Sequence, residues 1–251
     1  MNRMMWTSRT AMNAQQEKLD MISNNIANMG TTGYKKADVG FGDLVYETMN
    51  KSAIPVSNDP NRTVDPENGT GVRTMGTTRN NASGGLVATG EATDLALQGS
   101  GYFKVIRQDG SSAYVRSGNF TQDGAGRLTD NNGDRLEVIG QDTFSNGNFR
   151  VATDGTISVA GKNVGKINVY DTIGQDSLTS VGNNMYVPKA GAQMFITNSA
   201  TISQGYSEGS NVDIAKEMTD MIVAQRAFQL SSKSLSTADQ MASMVNDIAP
   251  K

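Results

Sequence analysis

The residues able to do chemistry in this chain are carboxylates, hydroxyls, lysine, arginine and tyrosine. Its 251 residues include neither cysteine nor histidine. Without cysteine the chain has no thiolate nucleophile or thiolate-held metal, and without histidine it has no Ser-His-Asp triad, imidazole base or usual zinc site. The sequence therefore excludes the commonest nucleophilic and zinc-dependent enzymes and leaves paired carboxylates as the chemistry to consider.

Three short motifs imitate parts of known sites. Asp130, Asn132 and Asp134 have the spacing of the first ligands of a calcium loop, but the positions that require glycine and glutamate hold arginine and glutamine. The Gly-x-Gly pairs at 69–71 and 99–101 lack the third glycine and the following helix of a phosphate-binding loop. We interpret all three as turns, and we predict neither a metal nor a cofactor.

Carboxylate pairs such as Asp65 and Glu67 could in principle hydrolyse a glycan, because that reaction needs two carboxylates across a cleft. Nothing in the sequence brings such a pair together, so we predict that the chain is not an enzyme and acts on no small-molecule substrate. An enzyme acting on cell-wall glycan stays open as the alternative from another class. The net charge of −3 gives no reason to expect a nucleic-acid partner.

The elements that must position any functional residue begin with a helix predicted over residues 4–28. Its apolar residues recur every seven positions, as in a narrow coiled-coil stripe that Ile22 extends. The stripe consists of Met5, Met12, Leu19 and Ile26. Gly30 and Gly33 follow it and predict where the helix ends.

A second helix is predicted over residues 212–248. Its stripe also has a period of seven, and further apolar residues widen it. The stripe and its widening residues are Ile214, Met218, Met221, Ile222, Phe228, Leu235, Met241 and Val245. At 1.5 Å per residue this helix is roughly 50 Å long, too long for a compact core. We therefore expect the two terminal helices to pair in a coiled-coil-like domain whose remaining apolar surface is covered by other copies.

Between the helices the sequence predicts short strands. Residues 95–187 alternate between apolar and polar, and Asp-Gly or Asn-Gly turns interrupt them at 109, 123, 132, 146 and 154. The expected fold is α+β, with a mostly antiparallel β domain inserted between the helices. Residues 50–70 contain three of the five prolines and suggest a linker. The predicted domains are 1–30 with 212–251, a connecting region of 31–75 with 188–211, and a β-rich domain of 76–187.

One segment has an unusual composition for a helix end. Asn24, Asn25 and Asn28 lie inside a predicted helix, and Gly33 and Tyr34 follow it. This stretch, LDMISNNIAN followed by TGYK, resembles the N-terminal signature of bacterial flagellar rod and hook proteins. Motifs similar to those of the same family occur at residues 94–103, 114–120, 123–128, 204–212, 221–228 and 236–241.

The resemblance implies a structural subunit that polymerises with itself into a hollow helical drive shaft. The terminal helices would form the inner layer and the β domain the outside. The implied partners are other rod and hook subunits, the surrounding basal-body rings and the flagellar type III export apparatus. The N-terminus lacks an apolar signal segment, so the implied location is the basal body, outside the cytoplasmic membrane, reached without a cleaved signal peptide.

Length distinguishes members of this family, because 251 residues leave little room for the outer domains of hook subunits. The motif GTGVR at 69–73 favours a distal rod subunit; a proximal rod subunit of similar size stays open, as does a monomeric secretion cap from another class. Phe41 and Val45 resemble the short element that the family uses at the export gate. Ordinary packing explains these two residues equally well.

Overall fold

Both predicted helices are present. The structure, a computed structural model, describes residues 2–44, 46–48, 67–144, 149–174 and 177–248. Within these residues helix α1 spans Asn2–Ala27 and helix α2 spans Ile214–Ile248. The chain turns at residues 28–30, where the first of the two predicted helix-ending glycines lies. Neither helix combines the length and the hydropathy that a membrane span requires.

The described residues between the helices form short strands. They are β1 Ala37–Asp43, β2 Tyr46–Thr48, β3 Glu67–Gly69, β4 Val72–Arg79, β5 Leu86–Ala88, β6 Leu95–Gln98, β7 Tyr102–Ile106, β8 Ser112–Val115, β9 Thr121–Gln122, β10 Leu128–Thr129, β11 Arg135–Leu136, β12 Ile139–Gly140, β13 Phe149–Val151, β14 Thr156–Val159, β15 Lys162–Lys166, β16 Val169–Thr172, β17 Leu178–Gly182, β18 Met185–Pro188, β19 Met194–Thr197, β20 Thr201–Gln204 and β21 Tyr206–Glu208. The predicted α+β class, with mostly antiparallel strands between terminal helices, is confirmed.

The largest sheet of the described chain has nine strands. Seven follow the order β17-β18-β8-β7-β11-β10-β9, while β16 pairs with β7 and β19 pairs with β16. A second sheet has the order β12-β15-β14-β13, and the pairs β6–β20 and β5–β21 join strands that are distant in sequence. These strands share one apolar core, since the nine-stranded sheet, the four-stranded sheet and the β6–β20 pair all contribute buried side chains. The core includes Leu95, Leu97, Phe103, Val105, Val115, Phe149, Ile157, Ile167 and Ile202.

The predicted turns explain the motifs that imitate binding sites. Asp130 and Asp134 close the β10–β11 hairpin, because the Asp130 amide donates to the Asp134 carbonyl at 2.8 Å. Gly99-Ser-Gly101 is the turn between β6 and β7. The Asn146-Gly147 turn and residues 50–66 of the predicted linker lie outside the described residues.

Contacts divide the chain into two compact units. A helical unit contains residues 1–24, 38–77 and 215–251, and a β-rich unit contains residues 25–37 and 78–214. Residues 25–37 include the end of α1 and the segment after it, so Asn25, Asn28, Gly33 and Tyr34 of the family signature belong to the β-rich unit and Asn24 to the helical unit. The three-part division expected from the sequence stays a prediction.

Candidate functional site

The stripe of α1 is partly covered. Met5, Met12, Leu19 and Ile26 are half-buried, and Ile22 is only 4 % exposed. Ser8 and Ala14 are buried as well. The covered side of this helix therefore mixes the predicted apolar residues with small and polar ones.

The covered side of α2 is a seam with alternating steps of four and three residues, the spacing of a coiled-coil helix. Met221, Phe228 and Leu235 occupy one position and are half-buried. The second position holds small or polar residues, and the seam as a whole consists of Glu217, Met221, Ala224, Phe228, Ser231, Leu235 and Ala238. The Ser8 hydroxyl donates to the Ser234 hydroxyl at 3.3 Å, so α1 and α2 meet beside this seam.

A second set of apolar residues on α2 faces solvent. Leu230 is 69 % exposed, more than any other large apolar side chain described on this helix. The predicted interface residues Ile214, Met218, Ile222, Met241 and Val245 are exposed too, together with Val223 and Met244. The apolar residues of α2 thus divide between the covered seam and an exposed apolar side. Several large apolar side chains exposed on one helix indicate a surface for contacts with other chains.

The family signature fixes the start of β1. The buried Asn25 amide donates to the Ala37 carbonyl at 2.8 Å, and its carbonyl oxygen accepts from the Ala37 amide and the Tyr34 hydroxyl, both at 3.1 Å. Asn28 accepts a hydrogen bond from the Thr31 hydroxyl, and Asn24 is exposed. Asn25 therefore joins the last turn of α1 to the first strand.

A buried ionic cluster of Lys35, Arg116 and Glu208 lies beside the signature. Each of the three residues is at most 2 % exposed. The Lys35 ammonium donates to Glu208 Oε1 at 2.7 Å, and Arg116 Nε donates to Glu208 Oε2 at 2.5 Å. Two cations face one carboxylate, so the cluster carries a net positive charge inside the β-rich unit.

Backbone carbonyls stabilise this excess positive charge. Arg116 donates to the carbonyls of Leu97, Gly99 and Gly101 at 3.1, 2.7 and 2.6 Å. The Lys35 ammonium also donates to the Ala82 carbonyl at 2.7 Å. A buried charge is tolerated only when it is paired and hydrogen-bonded, and these bonds meet that condition. The cluster therefore links the signature to the β6–β7 turn and to β21.

The ionisation of the cluster follows from burial and pairing. Burial alone would raise the pKa of Glu208, but hydrogen bonds and charges from Arg116 and Lys35 outweigh it and lower that pKa. Burial, helped by the Arg116 charge, lowers the pKa of Lys35, while Glu208 opposes this shift. The Glu208 carboxylate therefore remains ionised to lower pH than a free glutamate.

Asn211 repeats the role of Asn25 just before α2. Its side-chain carbonyl accepts from the Lys36 amide at 2.7 Å, and its amide donates to the carbonyls of Asn80 and Ala82 at 2.9 and 3.0 Å. Sequence reasoning singled out neither Asn211 nor the ionic cluster. The available signal was that Arg116 and Glu208 are the sole charged residues of the motifs at 114–120 and 204–212.

Gly33 has a conformation that the cluster requires. Its φ is +68°, and a Cβ there would lie 2.7 Å from the Ser117 amide nitrogen. We expect Gly33→Ala to lower the free energy of unfolding of the β-rich unit by about 1–3 kcal/mol, because it combines left-handed strain with a backbone clash. Urea unfolding followed by tyrosine near-ultraviolet circular dichroism measures the change.

Gly30→Ala is the matched control, since a Cβ at Gly30 meets open space. It should alter the free energy of unfolding by less than about 1 kcal/mol. Equal effects of the two substitutions would contradict the strain at Gly33.

One cavity of the β-rich unit lacks a carboxylate pair. It has a volume of about 340 Å³ and is lined by β-rich-unit residues, among which Asp154 is the single acidic side chain. In the described residues no cluster of three or more acidic side chains could hold a metal ion. Of the pair considered above, Asp65 lies outside the described residues.

The possible export element is half described. Phe41 is 38 % exposed, and the Lys18 ammonium lies 5.4 Å from the centre of its ring. Val45 lies outside the described residues. Packing of Phe41 against Lys18 is therefore present, and an export role remains a prediction.

Long terminal helices with an exposed apolar side, together with an internally braced β-rich unit, are typical of a structural assembly subunit. Two family models match the chain: residues 5–35 match "Flagella basal body rod protein", and residues 203–248 match "Flagellar basal body rod FlgEFG protein C-terminal". The chain belongs to the flagellar basal-body rod family.

Full-length relatives carry the same description. The flagellar basal-body rod protein FlgG of Buchnera aphidicola is 35 % identical over 94 % of this chain and 96 % of its own length. The proteins of that name from Borreliella burgdorferi and Agrobacterium fabrum are 32 % and 36 % identical. The alignment with the Borreliella burgdorferi protein covers 99 % of both chains. The alignment with the Agrobacterium fabrum protein covers 94 % of this chain and 95 % of the relative. These names describe structural rod proteins rather than enzymes.

Proposed function

We propose that the chain is a subunit of the distal flagellar rod and polymerises into the hollow helical shaft that transmits torque from motor to hook. The exposed apolar side of α2 carries the proposal. Burial of apolar surface stabilises a protein by about 25 cal/mol per Å². Contacts with further copies bury this exposed surface and so provide that free energy. A head-to-tail contact that does not close on itself produces a filament.

Coiled-coil-like pairing of α1 and α2 is part of this proposal. The Ser8–Ser234 hydrogen bond and the buried Ala224 and Ala238 support it. Small residues at alternate seam positions let two helices approach closely, and the larger Phe228 and Leu235 fill the space between them. The covered seam then holds each subunit together, while the exposed apolar side contacts neighbours.

The remaining parts of the proposal follow the family. Residues 1–30 with 212–251 form the inner layer, 76–187 the outer domain, and 31–75 with 188–211 the connection. The partners are other copies, other rod and hook subunits, the basal-body rings and the type III export apparatus. The chain reaches the basal body through the type III export apparatus, with Phe41 and Val45 as its export element.

Polymerisation of the purified chain tests the proposal. With isolated basal bodies as seeds, we expect hollow filaments in electron micrographs and a pelletable fraction that grows with protein concentration. A chain that stays monomeric under these conditions would contradict polymerisation.

Position within the basal body tests the assignment to the distal rod. Antibody or gold labelling of this chain in isolated basal bodies should mark the hook-proximal half of the rod. Labelling confined to the membrane-proximal end would instead support the proximal rod subunit.

A further inference from the structure

Two edge strands of the nine-stranded sheet lack the features that usually prevent an edge from pairing with another chain. Among the described residues β17 pairs with β18 alone and β19 pairs with β16 alone. Neither Leu178–Gly182 nor Met194–Thr197 contains a charged residue or a proline, and Val181, Phe195 and Ile196 are exposed. Proteins ordinarily protect edge strands with charge, proline or a covering segment because an open edge invites pairing with another chain.

One other edge strand of the same molecule, β13, is protected. On β13 the exposed Arg150 supplies charge, and the side chain of Gln204 covers the backbone. The Val151 amide donates to Gln204 Oε1 at 3.0 Å, and Gln204 Nε2 donates to the Phe149 carbonyl at 3.1 Å. By contrast, no charged side chain lies on β17 or β19.

The directions of the two edge strands are compatible. The strands β19, β16, β7, β8, β18 and β17 are consecutive neighbours, and each neighbouring pair is antiparallel. With six alternating strands, β19 and β17 run in opposite directions. If β19 of one copy lies beside β17 of the next, the antiparallel ladder continues without interruption. A bulge in β17 lies next to its hairpin turn and leaves Leu178–Ser180 regular.

We propose that β19 of one copy pairs with β17 of the next copy, so that the sheet continues across the assembled subunits. This inference rests on the proposed polymerisation and names one contact within it. The contact is heterologous and does not close, as a filament requires. It repeats roughly every 29 Å along the sheet, which is six strands at the usual spacing.

The size of this contact limits what it does alone. A ladder between two short strands is marginal in water, and it buries far less than the roughly 1,200 Å² of a stable interface. The contact therefore holds no dimer in dilute solution. It adds to the helix contacts once subunits are assembled, and it fixes the lateral register of the β-rich units.

Thiol crosslinking tests the proposal. The unsubstituted chain has no cysteine and therefore gives no crosslinked product of its own. The variants are Ser180→Cys on β17, Ile196→Cys on β19 and the double substitution. A bismaleimide that spans about 8 Å reaches both a directly opposite and a diagonal partner across a strand pair. In filaments we expect a ladder from the double variant, a single dimer band from an equimolar mixture of the single variants, and no product from either single variant alone.

The controls separate this contact from other outcomes. Arg150→Cys with Ser180→Cys moves one of the two thiols from β19 to the protected edge strand β13 and should give no ladder. Filaments without a ladder, or crosslinking of Ile196→Cys with itself, would overturn the proposed pairing and leave the proposed function intact. Failure of the unsubstituted chain to polymerise would overturn both.

A charge placed on the edge gives a second readout. We expect Ile196→Lys to raise the concentration needed for polymerisation about tenfold, because a lysine on an edge strand opposes pairing with a second chain. Ala125→Lys adds the same charge at an exposed turn and should leave that concentration unchanged. Equal effects of the two substitutions would overturn the pairing.

Discussion

Glu208→Gln is expected to lower the free energy of unfolding of the β-rich unit by about 3–5 kcal/mol, because removing one partner leaves buried charges without compensation. Lys35 and Arg116 would keep two positive charges in a site that has lost its carboxylate. Urea unfolding followed by tyrosine near-ultraviolet circular dichroism reports on this unit, which contains Tyr102, Tyr114 and Tyr186. The single tryptophan, Trp6, belongs to the helical unit and supplies an independent fluorescence signal.

Asp142→Asn is the matched control, since Asp142 pairs with Arg135 at 3.3 Å on the surface. Exposed pairs contribute about 0–1 kcal/mol. If both substitutions cost the same, or if Glu208→Gln costs less than about 1 kcal/mol, the buried cluster does not stabilise the unit as described.

The same variant should change the response to acid. The pKa of Glu208 is lowered in the folded chain, so the stability that this carboxylate contributes is complete above the ordinary glutamate pKa of about 4.3. It is lost as the pH falls through the lowered value. In the Glu208→Gln variant, the free energy of unfolding should therefore fall less steeply as the pH becomes acidic. An unaltered fall would contradict the pKa shift.

Leu19→Asp or Leu235→Asp should abolish polymerisation while the β-rich unit stays folded. Both residues are half-buried on the covered sides of their helices, and an unpaired carboxylate there costs several kcal/mol. A sedimentation assay measures polymerisation, and tyrosine circular dichroism measures the β-rich unit. In cells the same substitutions should abolish motility.

Gln225→Asp provides the control for α2, because it introduces the same charge at an exposed polar position. It should polymerise at nearly the concentration of the unsubstituted chain. Normal filaments from Leu235→Asp would overturn the assembly role of the helix seam.

Local patterns explain which parts of the fold could be predicted from sequence. The seven-residue stripes give both helices, and the structure moves their starts by two residues, to Asn2 and Ile214. Aspartate-glycine pairs mark the β7–β8 and β13–β14 turns because a tight turn needs those residue types. These signals come from residues that are close together in the chain, so a single sequence is enough to recognise them.

Long-range features have no such signal. β6 pairs with β20 and β5 with β21 across more than a hundred residues, and nothing local specifies either partner. The seam of α2 was missed in part because its second position uses Ala224 and Ala238, whereas only large apolar residues were sought. The ionic cluster was missed because its three members have no characteristic spacing.

The ionic cluster also has a kinetic consequence. Lys35 and Glu208 are 173 residues apart, and Arg116 and Glu208 are 92 apart. Contacts between such distant residues slow folding, because a long loop must close before they can form. The β-rich unit cannot form the ionic cluster until Glu208 is available, whichever end of the chain emerges first. Most of the polypeptide must therefore be present before this unit acquires its final stability, which keeps the chain unfolded for longer than a locally connected domain of the same size.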